Sequence, residues 1–152
     1  MSSSGVATPL GRSSFNDAWD GYPRARERLL SGMADAGLQD VLVLGGDVHM
    51  NVAAQLRVRP NDERSPIVAS EIVCTSVTSR GMGEALLATL RDNNPDIQHA
   101  RSDERGYALL EVRPEGVQAT FRATPFPAMS DSVLRDQARF AVQAGRAGVQ
   151  RA

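Results

Sequence analysis

Three features of this sequence predict an α/β fold. A stretch with helical periodicity, Pro23 to Ala36, runs through a short Gly37–Asp40 connection into a wholly apolar run, Val41–Leu44. Further on, two β-prone runs flank Pro114-Glu115-Gly116 and read as an antiparallel hairpin. The chain has 152 residues, enough for one domain with a sizeable core, since domains cluster at roughly 100–150 residues.

The elements follow in order. Residues 1–16 are rich in serine and glycine and are expected to be a flexible lead-in; residues 17–152 are expected to form the domain. Pro23 suits the first turn of a helix because its missing N–H costs nothing there. Ala25, Leu29, Met33 and Ala36 fall near one face, arginines and Glu27 cover the rest, and Gly37 is placed to cap the end. Val41–Leu44 has the look of a strand buried on both faces. Asn51–Leu56 reads as a short helix, Arg59–Pro66 as a polar loop, and Ile67–Val77 as a second apolar strand region. Glu84–Arg91 reads as a helix that Asn93-Asn94-Pro95 breaks. In the hairpin, Tyr107–Val112 precedes Val117–Thr124, where Val117, Ala119, Phe121 and Ala123 alternate with polar residues, giving one buried face and one wet face. Asp131–Ala141 is expected to be a closing helix and Gly145 onward a tail.

Composition narrows the classes. Hydrophobic residues at 41% and charged residues at 23% are ordinary globular usage. A formal net charge of −1 gives no global pull toward nucleic acid or an anionic membrane. All 17 basic residues are arginine. Arginine binds phosphate well through its planar fork, but a GC-rich coding sequence gives the same bias and is the plainer explanation. Cys74 is the only cysteine, which excludes an intrachain disulfide. No apolar run approaches the ~20 residues of a membrane span, and the N-terminus lacks the pattern of a signal peptide. The chain as given is therefore expected to stay in the cytoplasm.

The chemistry centres on VLVLGGDVH, Val41 to His49. Asp47 and His49 lie just past the carboxyl end of an apolar strand, the edge where sites collect in open α/β sheets. Gly45 and Gly46 allow a sharp turn and a close approach to a ligand. If the chain stays extended, residues two apart point the same way and Asp47 and His49 face one cavity. A carboxylate and an imidazole together suit a borderline to hard metal such as iron, manganese or zinc. The four-residue pattern is weak by itself: a turn aspartate and a satisfied, half-buried histidine explain it as well.

Other candidates are weaker. His99 sits in a surface-like Ile97–Arg101 context and reads as exposed rather than ligating. Cys74, in an apolar strand, reads as an inert buried thiol rather than a thiolate ligand. Thr75, Ser76, Thr78 and Ser79 offer hydroxyls to a phosphate, or simply end a strand in solvent. There is no Gly-x-Ser-x-Gly elbow, no Gly-x-x-x-x-Gly-Lys loop and no Cys-x-x-Cys. Sparse aromatics argue against a base-stacking platform.

Taken in order, five stretches resemble the C-terminal part of the PhoD-type alkaline phosphatases, within the metallophosphatase group. They are FNDAWDGYPRARERLL, VLVLGGDVHMNVAAQL, SPIVASEIVCTSVTS, NNPDIQHARSDERGYALLEV and FAVQAGRAGVQRA, running from Phe15 to Ala152. The resemblance implies that residues 17–152 are the C-terminal layers of a four-layer αββα sandwich, with the last helix across or near the site. It implies that Asp47 and His49 are metal ligands and catalytic residues, that iron and calcium are the metals, and that phosphate mono- and diesters are the substrates. Family members are typically exported.

Three features depart from the family. Its first half, with the other ligands and their cysteine, has no counterpart here, and Cys74 does not match that cysteine. Gly45 stands where a hydroxyl or other small residue is common, and Arg80 where glycine is common. The reading that follows is a phosphoric ester hydrolase present as an N-terminally truncated chain, with a phosphate ester as substrate and no nucleic-acid partner. The alternatives are an inactive fragment with a structural or regulatory role, one half of a split enzyme completed by an N-terminal half, and a phosphate-binding module built on arginines.

Overall fold

Pro23 opens the first helix, α1 (Pro23–Asp35), at a position that needs no N–H donor. Its end is closed by Gly37, whose φ of 61° is the left-handed conformation that glycine adopts freely. Gly37 N–H donates to the Ala34 carbonyl and Leu38 N–H to the Met33 carbonyl, both at 3.0 Å. These two bonds satisfy carbonyls that would otherwise lack partners at the helix end. This computed structural model describes residues 19–152. The lead-in expected over residues 1–16 lies outside the described residues.

Two four-stranded sheets follow. The first contains β1 (Leu42–Gly45), β2 (Asn51–Arg57), β3 (Ile67–Val73) and β4 (Ile97–Arg101) in the order β1-β3-β2-β4. Only β1 and β3 run parallel; β2 is antiparallel to both of its neighbours. The second sheet is an antiparallel meander in sequence order: β5 (Glu104–Arg113), β6 (Gly116–Pro125), β7 (Arg135–Gln143) and β8 (Gln150–Arg151). A second helix, α2 (Glu84–Asp92), connects β3 to β4.

The sheets face each other across a core in which Ala53 and Ile72 of the first meet Ala119, Phe121, Ala138, Phe140 and Val142 of the second. Phe121 is fully buried and Phe140 nearly so; each such side chain contributes about 1.5–3 kcal/mol by leaving water. The helices cover the other side of the first sheet. Leu30 of α1 packs with Leu56, Val68 and Ala69, and Leu87 of α2 with Val52, Ala54, Val73 and Ala100. The architecture is therefore mixed α/β in three layers: helices, sheet, sheet. Among the described residues no helix covers the outer face of the second sheet, where Tyr107 and Leu109 are nearly half exposed.

The sequence expectations hold for α1, α2 and the hairpin, and for β6 the alternation is as read: Ala119, Phe121 and Ala123 are buried. Four expectations are corrected. Asn51–Leu56 is not a helix but β2, one of two interior strands, buried on both faces; its Ala-Ala-Gln-Leu helical preference yields to tertiary packing. Asp131–Ala141 contains no helix either. Arg135–Gln143 is β7, because Ala138, Phe140 and Val142 alternate inward at period two. Val41–Leu44 is not covered on both faces: β1 is an edge strand and Leu44 is 57% exposed. Gly145 onward is no loose tail, since Val149 is buried and Gln150–Arg151 pairs with β7.

Candidate functional site

The parallel pairing of β1 with β3 sets Gly45 opposite Val73. Both strands therefore release their loops at the same edge of the first sheet. The loop after β1 carries Asp47 and His49; the loop after β3 carries Cys74 through Gly83. The β1 loop is bent, with Val48 N–H donating to the Gly46 carbonyl at 2.9 Å. The extended conformation considered for Gly46–His49 is thus not adopted, and alternation of side chains does not apply. Neither Gly45 nor Gly46 takes the left-handed turn. Asp47 (φ 73°) and His49 (φ 55°) take it instead. A non-glycine residue held there costs of order 1–3 kcal/mol and persists only where its surroundings enforce it.

The two loops touch. His49 Nδ1 lies 2.9 Å from the Arg80 carbonyl. A carbonyl can only accept, so Nδ1 carries the proton and Nε2 keeps a lone pair in the neutral ring. Close approach explains the glycine beside Arg80: a Cβ added at Gly81 would sit 2.5 Å from the His49 carbonyl and 2.8 Å from Ser102. Asp47 is exposed and His49 half-buried.

Two of the four hydroxyls considered for phosphate binding are engaged. Thr75 Oγ1 donates to the Glu104 carbonyl at 3.3 Å, and Ser76 Oγ donates to the Ser79 carbonyl at 2.7 Å. Cys74 is half-buried; burial pushes its thiol up, against a smaller opposite effect from a hydrogen bond with the Ala108 backbone. It is a thiol at neutral pH, as expected for an unreactive cysteine.

His99 is not exposed as expected. It lies between the sheets, its ring 5.7 Å from Phe121 and 5.5 Å from Phe140, with Nε2 3.1 Å from Gln137 Oε1. The reason is its place on β4, opposite Ala53 of the buried interior strand β2. Burial pushes its pKa down, the Gln137 hydrogen bond opposes this, and the Arg101, Arg151 and Arg91 charges push it down further.

Behind the Asp47–His49 loop the structure adds residues that no local sequence signal marks. Asn51, wholly buried, donates through Nδ2 to Gln137 Oε1 at 3.1 Å. Gln137 Nε2 donates to Glu104 Oε2 at 2.7 Å. Thr75, already bonded to the Glu104 carbonyl, donates its backbone N–H to Asn51 Oδ1 at 2.9 Å. The four residues close a ring: Asn51 from the first sheet, Thr75 from the loop after β3, and Glu104 and Gln137 from the second sheet. Arg135 caps it by donating to Glu104 Oε1 at 2.5 Å. Burial works to raise the Glu104 pKa, but the bonds from Gln137 and Arg135 and the Arg101 charge outweigh it and hold the carboxyl below its usual range.

Among the described residues, no group of three or more His, Cys, Asp and Glu gathers at a spacing able to hold a metal ion. A hollow of about 400 Å³ lies at the amino end of β1, lined by Gly37, Asp40, Ser70 and Arg146 among others; neither Asp47 nor His49 touches it. No helix among the described residues is long and apolar enough to cross a membrane.

Three of the comparisons with known proteins point to one family. The family model described as PhoD-like phosphatase matches residues 2–121. Alkaline phosphatase D of Bacillus subtilis (strain 168) is 36% identical over 138 residues, covering 89% of this chain and 24% of that protein. The solved "Structure of PhoD" aligns with a TM-score of 0.76 at 32% identity, covering 89% of this chain and 26% of that one. A shorter match, 36% over 73 residues, is to a serine hydroxymethyltransferase of Acinetobacter baylyi; it covers 47% of this chain and 18% of that protein, and carries no argument here. The chain spans about a quarter of the length of the two phosphatase relatives.

Proposed function

The chain belongs to the PhoD-like phosphatase family, and on that premise we propose that it supplies Asp47 and His49 to the metal centre of a phosphoric ester hydrolase. The substrates are phosphate mono- and diesters, and the metals proposed are iron and calcium. The observation that carries this reading is the Arg80 carbonyl at His49 Nδ1. It fixes the tautomer that leaves Nε2 free as a ligand, the arrangement typical of metal-bound histidine. The strained backbone of both residues supports it, since such strain concentrates at functional sites.

The donor chemistry fits in kind and is incomplete in number. A carboxylate and an imidazole suit a borderline to hard cation, but an ion needs more donors than these two. The described residues therefore offer a share of the centre. When bound, the metal supplies positive charge that stabilises the phosphoryl group during transfer. The chain's own part is to hold: Asp47 presents its carboxylate, His49 presents Nε2, and the Arg80 carbonyl keeps the imidazole turned.

A second reading concerns the remaining ligands. Edge strand β1 has one hydrogen-bonded neighbour, β3, and its other side is bare among the described residues. We propose that an N-terminal half pairs there. Mixing this chain with a separately made N-terminal half is expected to restore hydrolysis of p-nitrophenyl phosphate; no activity in the mixture overturns this second reading.

The ligand assignment is tested by equilibrium dialysis of the chain against Fe²⁺, Ca²⁺ and Co²⁺ up to about 1 mM, which detects binding worth about 4 kcal/mol or more. Binding is expected in the unaltered chain and absent in Asp47→Asn and His49→Ala. Equal uptake in all three, or none in the unaltered chain, overturns the assignment.

A further inference from the structure

β7 carries an irregularity at one position. Phe121 pairs with Ala138 and Arg122 with Asp136, so Gln137 has no partner on β6. It is the extra residue of a β-bulge. Bulges re-aim side chains and are frequent beside functional sites. Ala138, Phe140 and Val142 point inward, so regular alternation would turn Gln137 away from the core. The bulge instead lets Gln137 reach between the sheets, where its one amide meets three partners: Asn51, His99 and Glu104.

Asn51 uses both ends of its own amide. It receives the Thr75 N–H and donates to Gln137. Asn51 begins β2, two residues after His49, and Thr75 lies five residues before Arg80, whose carbonyl holds the imidazole. The ring therefore fixes the roots of both loops that meet at His49. Breaking it would leave buried amide groups unpaired as well as loosening the roots.

We infer that Gln137 and Asn51 are positioning residues for His49: the bulge-borne Gln137 clamps Asn51, and Asn51 sets the β1 and β3 loops so that His49 Nδ1 meets the Arg80 carbonyl. The inference rests on the ligand reading of His49 only for its consequence in metal binding. Its geometric content stands on the ring and the bulge. Both act through protein groups, their side chains being engaged with each other and with Thr75, His99 and Glu104.

The test is Gln137→Met, which keeps length and removes every amide hydrogen bond. Two readouts are taken on the folded variant. The first is the His49 imidazole ¹⁵N spectrum without metal at about pH 8.5, well above the usual imidazole pKa of about 6.5. The unaltered chain is expected to show the Nδ1–H tautomer, and the variant a mixture. The second is Co²⁺ affinity, expected to fall about 10-fold or more, the usual effect of losing a residue that orients a ligand. An unchanged His49 spectrum in a folded variant overturns the inference, even if the melting temperature drops, because that is the signature of a merely structural amide. If the unaltered chain takes up no Co²⁺, the ligand reading fails while the tautomer readout still decides this one.

Should Gln137→Met not fold, amide exchange in the unaltered chain decides. Thr75 N–H, bonded to Asn51, and Val48 N–H, bonded within the His49 loop, are expected to open with equal free energy. A freely exchanging Val48 beside a protected Thr75 overturns the inference.

Discussion

The His99 ring stacks on Phe121 at 5.7 Å between centroids, with 21° between the planes. An imidazole sandwiched in this way is held neutral, because burial and three nearby arginines disfavour its charged form more than the Gln137 bond favours it.

That placement makes stability depend on pH. The folded pKa lies below the ordinary value of 6.5. Below that value the unfolded chain binds a proton that the folded chain refuses, so the unfolded state holds more protons and stability rises with pH. The contribution is fully present above the ordinary value and is lost as pH falls from there through the folded pKa. Thermal melts between about pH 7.5 and 5.5 should show a falling Tm, and His99→Phe should flatten that slope. A slope unchanged in the variant would assign it elsewhere.

Glu104 gives a second, more acidic step. Its folded pKa is held below the ordinary 4.5, so its contribution is present above that value and lost as pH falls through the folded pKa. Glu104→Gln should remove this step and lower stability at neutral pH by about 1–3 kcal/mol, the cost of unpairing buried polar groups. Urea unfolding at pH 7 and near pH 4 measures both.

Gly81→Ala should act locally. The new Cβ cannot stay 2.5 Å from the His49 carbonyl, so the loop after β3 must shift. We expect a small change in Tm with a marked loss of metal binding, measured by melting and dialysis on the same sample. A wild-type affinity would mean that the loop moves without disturbing His49.

Asp47→Gly should trade function for stability. Removing the side chain relieves a left-handed residue at φ 73°, which should raise stability by about 1 kcal/mol. The same change removes a proposed ligand, so metal uptake should vanish. Urea midpoints that do not rise would show that the loop imposes no strain at this position.

Much of the architecture was readable because it is local. Pro23 and Gly37 bracket α1, and the period-two alternation from Val117 to Ala123 defines β6. Two elements were misread where local preference opposes context: Asn51–Leu56 has helical composition but lies between two strands, and Leu134 with Ala138 imitates a helical spacing in what is β7. At the candidate site, Asp47 and His49 are proposed from their place after an apolar run, and the structure puts both in the loop that follows β1. Their left-handed backbone is not, because the neighbouring glycines are the natural candidates for that turn. Gln137 could not be found at all, since its partner Asn51 is 86 residues away and nothing in the order of residues announces a bulge.

The two sheets also differ in how far apart their neighbours are along the chain. The meander β5-β6-β7-β8 joins consecutive strands, whereas β1 must wait for β3, and β4 pairs with β2 across an intervening strand and helix. Closing short loops costs less entropy than closing long ones. The second sheet is therefore expected to assemble early, and the first to condense onto it. Pulse-labelled exchange should find β6 amides protected before those of β2. The ring of Asn51, Thr75, Glu104 and Gln137 needs both sheets, so the geometry around His49 is a late product of folding, complete only when everything else is in place.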